Sequence, residues 1–280
     1  MMGSLVPTTD VAATARTLPG FEPEYCAFME EVASLLPIRL DCYKPKQMER
    51  RIRDLARKHH APDLASFAAM LRGNRLLLRE FEQHITINVS EFYRNPDAFG
   101  YLAEHVFPRL ATHTRGMRVW SAGCSNGAEP YTIAMMLQEA YPQRRHAIFA
   151  TDIDRAVLDK ARLGSGYISD DVRGLPTPYR EAYLIHEGQT YRVHESIARM
   201  VRFERFDLLR ERVQQTFDLI ACRNVVIYFT DEAKTVLYEA FVDALDDGGY
   251  LFIGATETIN RPRDLGLKYV APCFYMKTDV

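Results

Sequence analysis

The 280-residue sequence predicts an α/β fold, a mostly parallel sheet with helices on both faces, preceded by a small separate unit that is all helical. Three observations predict it. A glycine-bearing strand-to-helix turn runs from Trp120 to Ala134. A second apolar strand, Ala147 to Thr151, ends in Asp152, and further strands alternate with helical stretches behind it. Phe21 to Ile85 carries helical periodicity throughout.

In chain order, residues 1–20 are rich in Gly, Pro, Thr and Ala without sustained periodicity, and hold no apolar run long enough for a signal peptide or membrane span. They read as a disordered lead-in. From 21 to 85 apolar residues recur on helical faces: Tyr25, Phe28, Met29 and Val32; Met48, Ile52, Leu55 and Ala56; Leu64, Phe67, Met70 and Leu71. The middle helix is basic. Between Lys44 and Lys58 seven Lys or Arg face only Glu49 and Asp54, a local charge of +5 on a chain of net charge −2. At about 100° per residue Arg50, Arg53 and Arg57 share a stripe opposite Met48, Ile52 and Leu55, with Arg51 and Lys58 to one side. Such a cationic face is either a solvated surface or a docking surface.

In the larger unit, Val119 and Trp120 fit a buried strand. Gly123 and Gly127 let the backbone turn tightly and approach a ligand. Pro130 suits a first helical turn, and Ile133, Met136, Leu137 and Ala140 give that helix a packing face. The turn points at a nucleotide-like ligand, but G-x-G-x-x-G is absent, which lowers the case for NAD or FAD. Asp152, at the next strand end, stands where α/β nucleotide folds place an acceptor for ribose hydroxyls. Ala182 to His186 and Thr190 to His194 flank Glu187-Gly188-Gln189 as a β-hairpin, with Met200 to Phe203 as a third strand of an inserted subdomain at about 180–203. Phe217 to Asn224 holds another strand. A helix over 231–245, the Asp-Asp-Gly-Gly turn at 246–249 and a strand from Tyr250 to Ala255 follow.

Four ordered motifs now bear on identity: Ile85-Thr-Ile-Asn-Val-Ser-Glu-Phe-Tyr-Arg94, the Trp120 to Ala134 turn, Ala150-Thr-Asp-Ile-Asp154, and Cys222-Arg-Asn-Val-Val-Ile-Tyr-Phe229. On these motifs and their order the chain resembles, over most of residues 25–277, the chemotaxis receptor methyltransferase (CheR) family. The resemblance implies a Rossmann-like S-adenosylmethionine-dependent methyltransferase sheet with the antiparallel insertion. It implies transfer of methyl to glutamate side chains on the cytoplasmic helices of methyl-accepting chemotaxis receptors. It divides the chain into a helical receptor-docking domain at 21–85, a linker at 86–100 that contributes to the active site, and a catalytic domain at 101–280. Matched motif by motif, Asn88, Ser90 and Arg94 would meet the methionine end of the cofactor and the transferred methyl, and Glu129 its amino group or a neighbouring polar atom. Gly123 belongs to the cofactor loop, and Asp152 would hold the ribose. Asp207 and Leu208 would flank the adenine, while Asn224 and Tyr228 close the site near the sulfur. Arg94 and Tyr228 are the catalytic candidates. Arg50, Arg51, Arg53 and Arg57 are the docking candidates, Arg51 and Arg57 matching arginines implicated in the family.

The hairpin tip is a few residues shorter than in relatives that grip a receptor C-terminal pentapeptide, so this chain is expected to do without that tether. Five cysteines, odd in number and without CxxC spacing, suggest reduced thiols in a cytoplasm and no metal site. A near-neutral catalytic half argues against a nucleic-acid groove. Two other classes stay open at this point: a small-molecule or RNA methyltransferase, and a regulatory module that binds S-adenosylmethionine without turnover.

Overall fold

The computed structural model describes residues 22–36, 38–86 and 88–278; the expected lead-in at 1–20, and Phe21, lie outside them. Helices α1 (Pro23–Ala33) and α2 (Pro45–Lys58) each begin with proline in the first turn, where its missing N–H is not needed. Asp63 caps α3 (Leu64–Gly73) by accepting the Ser66 N–H at 2.7 Å, and Asn74 caps α4 (Arg75–Ile85) by accepting from Leu76 and Leu77. Their apolar faces close a core in which Phe28 stacks on Phe67 at 5.9 Å and Phe81 meets both edge-on. Met70, expected on the core face of α3, is instead 36% exposed, because Leu64, Phe67, Ala68 and Leu71 fill that face.

The chain then runs through α5 (Pro96–Tyr101), a π-helical stretch at Leu102–Val106 and α6 (Phe107–Leu110). Next come β1 (Arg118–Ala122), α7 (Ala128–Ala140), β2 (Ala147–Asp152) and α8 (Arg155–Leu163). Two short helices, α9 (Ser169–Val172) and α10 (Thr177–Tyr183), lead into the hairpin of β3 (Leu184–Glu187) and β4 (Thr190–Val193). After α11 (Glu195–Ala198) come β5 (Val201–Arg205), β6 (Phe217–Cys222), α12 (Asp231–Ala244), β7 (Leu245–Ile253), β8 (Leu267–Ala271) and β9 (Phe274–Lys277).

Seven strands form one sheet in the order β5-β2-β1-β6-β7-β9-β8, parallel except that β9 runs against both its neighbours. The order reverses between β1 and β6, and this switch point is where open α/β sheets bind their ligands, beyond the carboxyl ends of the strands. Burial on both faces explains why β6 is buried at every position.

Two expectations need correction. The third strand predicted for the hairpin, now β5, is the edge strand of the main sheet, paired in parallel with β2 from Ile148–Val201 to Asp152–Arg205. Phe203 packs there against Tyr131 of α7 at 5.4 Å, an apolar contact that a two-stranded hairpin could not supply. The insertion is therefore two-stranded, joined to the body by a bridge between Tyr167 and Tyr191. The Asp246 to Gly249 turn does not precede a strand but interrupts the β6–β7 ladder between the pairs Phe217–Leu245 and Leu219–Tyr250.

The helical unit is stitched to the catalytic half by backbone. Tyr43 and Phe229 form an antiparallel bridge, Lys44 N–H donates to Tyr228 O at 2.8 Å, and Thr230 N–H donates to Cys42 O at 2.9 Å. Among the described residues no helix is long and apolar enough to cross a membrane.

Candidate active site

At the switch point lies a cleft, and all ten positions expected around the cofactor line it: Asn88, Ser90, Arg94, Gly123, Glu129, Asp152, Asp207, Leu208, Asn224 and Tyr228. The glycine turn builds its floor. The N–H groups of Gly123 and Cys124 both donate to Thr151 O at 2.8 Å, which folds the turn back over β2. Gly123 has φ +81°, and a Cβ there would stand 2.4 Å from Cγ2 of Val225, so only glycine fits. Ser125, at φ +50°, donates its N–H to Oδ2 of Asp152 at 2.8 Å, and the Asp154 N–H donates to Oδ1 at 3.0 Å. Burial pushes the Asp152 carboxyl up, and these backbone donors oppose the shift.

The 88–95 segment forms the opposite wall. Asn88 Nδ2 donates to Oδ2 of Asp154 at 2.7 Å. Arg94 pairs with no carboxylate among the described residues, Glu91 included; its Nη1 donates to Val89 O at 3.2 Å and leaves other N–H groups available. Asp207 is 2% exposed. Its Oδ1 accepts the Leu209 N–H at 2.9 Å, its Oδ2 has no hydrogen-bond partner, and burial pushes the carboxyl up. Ser125 Oγ is a second buried atom of the wall without a partner. Burial also raises the Tyr228 phenol, and the charges of Arg51 and Arg94 oppose the shift.

Two organising residues were not singled out by the sequence reading. Arg223, whose side chain is 2% exposed, donates from Nη2 to Arg94 O at 2.7 Å and Asn95 Oδ1 at 2.8 Å, and from Nη1 to Glu129 Oε2 at 3.4 Å. Its guanidinium lies 5.0 Å from the Phe99 ring centre and 4.5 Å from that of Phe252. Glu129 also accepts from Ser121 Oγ at 2.8 Å, so Arg223 and β1 hold both its oxygens. The signal in the sequence was an arginine directly after a strand that is apolar but for Asp218. Glu257 is the other: its Oε2 accepts from Gly254 N–H at 2.6 Å and Asn224 N–H at 3.1 Å, which holds Asn224 at φ +59°. Tyr93, Asn95, Ser125 and Asn224 all have left-handed backbones, so strain clusters around the cleft.

The four arginines of α2 do not form one uniform face. Arg50 and Arg57 are exposed, and Arg57 pairs with Asp54. Arg51 is half-buried and donates from Nε to His84 O at 3.0 Å, while His84 Nε2 lies 3.0 Å from Arg51 O. Arg53 departs from the expected docking stripe: Glu22, Glu24 and Glu49 surround it at 3.0, 3.1 and 2.9 Å. These carboxylates neutralise it and make it a staple between α2 and the start of α1. Among the described residues no cluster of His, Cys, Asp and Glu could hold a metal.

Comparison with known proteins bears on this arrangement. A sequence model described as "CheR methyltransferase, SAM binding domain" matches residues 88–269, and one described as "CheR methyltransferase, all-alpha domain" matches 23–86. A chemotaxis protein methyltransferase from Listeria innocua is 41% identical over 262 residues, 93% of this chain and 100% of that protein. One from Borreliella burgdorferi is 36% identical, covering 76% of this chain and 78% of that protein, and chemotaxis protein methyltransferase 1 of Vibrio cholerae is 30% identical over 84% and 88%. With a helical unit, a switch-point cleft and matches that span both, the chain belongs to the CheR methyltransferase family.

Proposed function

We propose that the protein transfers methyl from S-adenosylmethionine to glutamate side chains on the cytoplasmic helices of chemotaxis receptors, forming methyl esters for sensory adaptation. The observation that carries this reading is the convergence of ten positions, from widely separated segments, on one cleft. The cleft suits the cofactor. Asp207 Oδ2, 3.7 Å from Arg210 Nε, and Ser125 Oγ are buried without hydrogen-bond partners, Gly123 permits close backbone approach, and Glu129, Asp152 and Asp207 give an acidic wall for a ligand carrying sulfonium and ammonium charge.

Asp152 would accept from the ribose hydroxyls, and Asp207 and Leu208 would flank the adenine. Glu129 would meet the amino group, and Asn88, Ser90, Arg94 and Asn224 the methionine end. When bound, S-adenosylmethionine supplies an activated methyl group on a positively charged sulfur. The protein need not generate the nucleophile: a glutamate carboxylate, with an ordinary pKa of about 4.3, is ionised at neutral pH. Its work is alignment and exclusion of water, which in the best cases supplies about 7 to 11 kcal/mol. Arg94 orients the incoming carboxylate through a charge-assisted bond, and Tyr228, kept protonated by burial, donates beside it. Cys124 and Cys222 take no part, because burial holds both thiols far above their ordinary values.

The test is transfer of radiolabelled methyl to receptor cytoplasmic fragments with base-labile release. Label that resists base, or that enters only small molecules or RNA, overturns the reading. The same reading places the enzyme in the cytoplasm, with no metal and no nucleic-acid partner.

Docking of the acidic receptor helix falls to the exposed and mouth-side charges of α2, Arg50, Arg51 and Arg57. Arg51→Glu or Arg57→Glu lowers kcat/KM for receptor about tenfold at low salt through slower association, and leaves cofactor affinity unchanged. Wild-type methylation by both variants at low salt removes the assignment. The hairpin tip is only Gly188-Gln189 between β3 and β4, so the enzyme works without the pentapeptide tether. Calorimetry with a receptor-tail pentapeptide should show no heat of binding; micromolar affinity contradicts this.

A further inference from the structure

Asp154 caps α8 with one carboxylate oxygen and uses the other elsewhere. Oδ1 accepts the N–H groups of Ala156 at 2.8 Å and Val157 at 3.4 Å, which serves the first turn of the helix. A cap needs no second oxygen, and serine supplies one about as well as aspartate does. Oδ2 reaches across to the 88–95 segment instead. There it accepts from Asn88 Nδ2 at 2.7 Å, and it takes a longer bond from Thr86 Oγ1 at 3.3 Å. The backbone N–H of the same residue donates to Oδ1 of Asp152 at 3.0 Å. Asp154 thus holds two residues of the cleft without being one of those that line it.

The bond to Asn88 fixes a polarity. A carboxylate only accepts hydrogen bonds, so the nitrogen end of the Asn88 amide must face Asp154. The bond to Thr86 Oγ1, at 3.4 Å, also uses Nδ2, which leaves the amide oxygen as an acceptor for a ligand. An amide held only by hydroxyls can turn either end to a ligand, whereas one held by a carboxylate cannot. An oxygen is the end that suits the positive charge of the cofactor's methionine end. We propose that Asp154 is a positioning residue for methyl transfer, which orients the Asn88 amide so that its oxygen meets that charge. The proposal rests on the cofactor reading given above.

The test is calorimetry on the full chain, without receptor, using S-adenosylmethionine and 5′-methylthioadenosine. The second ligand keeps the nucleoside but lacks both the sulfonium charge and the amino-acid end. Asp154→Ser keeps the cap and is too short to reach Asn88. Asp154→Asn keeps the cap and the reach, but sets an amide nitrogen against that of Asn88, so the Asn88 amide turns over. Each variant raises Kd for S-adenosylmethionine about tenfold and leaves Kd for 5′-methylthioadenosine within about twofold of wild type. In an Asn88→Ala background Asp154→Asn has no further effect, because the two residues act through one bond.

A purely structural role, through the cap or through the Asp152 loop, would weaken both ligands alike. Equal factors for the two ligands therefore overturn the proposal, as does wild-type affinity for S-adenosylmethionine in Asp154→Asn, or an undiminished effect in the Asn88→Ala background. Should Asp154→Ser fail to fold, Asp154→Asn decides the matter. In each of these cases normal binding by the unmodified protein leaves the cofactor reading standing. If the unmodified protein binds neither ligand, both fall.

Discussion

Arg223→Met lowers the melting temperature of the catalytic half by about 10 °C and reduces methyl transfer at least a hundredfold. The side chain is 2% exposed and linear enough for methionine to fill most of its volume, so the loss is of charge and donors more than of packing. Three acceptors are stranded: Glu129 Oε2, Arg94 O and Asn95 Oδ1. Breaking a buried pair from one side costs about 3 to 5 kcal/mol, because the remaining charge has no compensation. At roughly 2 to 4 °C per kcal/mol for a domain of this size, the shift is easily read by calorimetry. Activity falls further than stability alone requires. The 94–95 turn, with Asn95 at φ +63°, is strained, and Arg223 holds it through Arg94 O and Asn95 Oδ1. Arg223→Lys keeps the charge but cannot serve Arg94 O, Asn95 and Glu129 from one planar fork, so it recovers stability better than turnover. A melting point and kcat equal to wild type in Arg223→Met would show that the guanidinium holds nothing the site needs.

Arg223 also marks the limit of what was legible in the sequence. The glycine turn and Asp152 could be read because their constraints are local: Gly123 must turn beside Cys124, and Asp152 accepts from residue 154 two positions on. The Arg223 partners at 94 and 95 lie 129 and 128 positions away, and no spacing rule reaches that far. Glu257 is similar, since its bond to Asn224 spans 33 positions although its bond to Gly254 spans three. The misplaced β5 has the same cause. A short apolar strand beside a hairpin is equally consistent with joining either sheet, and the choice was made by the Phe203 contact with α7. On α2 the helical wheel sets the directions of the arginines, yet Arg53 is engaged by Glu22 and Glu24, which come from another helix's start. Period sets direction, and tertiary partners set net charge.

Asp152→Asn raises the Kd for S-adenosylhomocysteine about a hundredfold while leaving the stability of the ligand-free protein nearly unchanged. The two effects separate because burial acts on them with opposite sign. In the folded state the Asp152 carboxyl is raised by burial, so the ionised form is disfavoured by folding and the charge is a net cost at neutral pH. That cost is relieved as pH falls through the raised value, and also when the carboxylate is replaced by a neutral amide. Against this relief stands one of the two backbone donors, Ser125 N–H or Asp154 N–H, which would face an amide nitrogen in place of an oxygen. Cofactor binding has no such compensation. Two charge-assisted bonds to vicinal ribose hydroxyls become neutral, at about 1.4 kcal/mol each, which together amounts to a factor of about a hundred. The wild-type pH dependence follows in direction: affinity is full where Asp152 is ionised and declines on acidification from a higher pH than an exposed aspartate would show. On that acid limb ligand binding releases a proton, measurable as a difference in heat between buffers of unlike ionisation enthalpy. Burial raises Asp207 as well, so Asp152→Asn shrinks the acid limb without abolishing it. If Asp152→Asn binds the ligand as tightly as wild type at neutral pH, the strand-end carboxylate is a turn former and the ribose is held elsewhere.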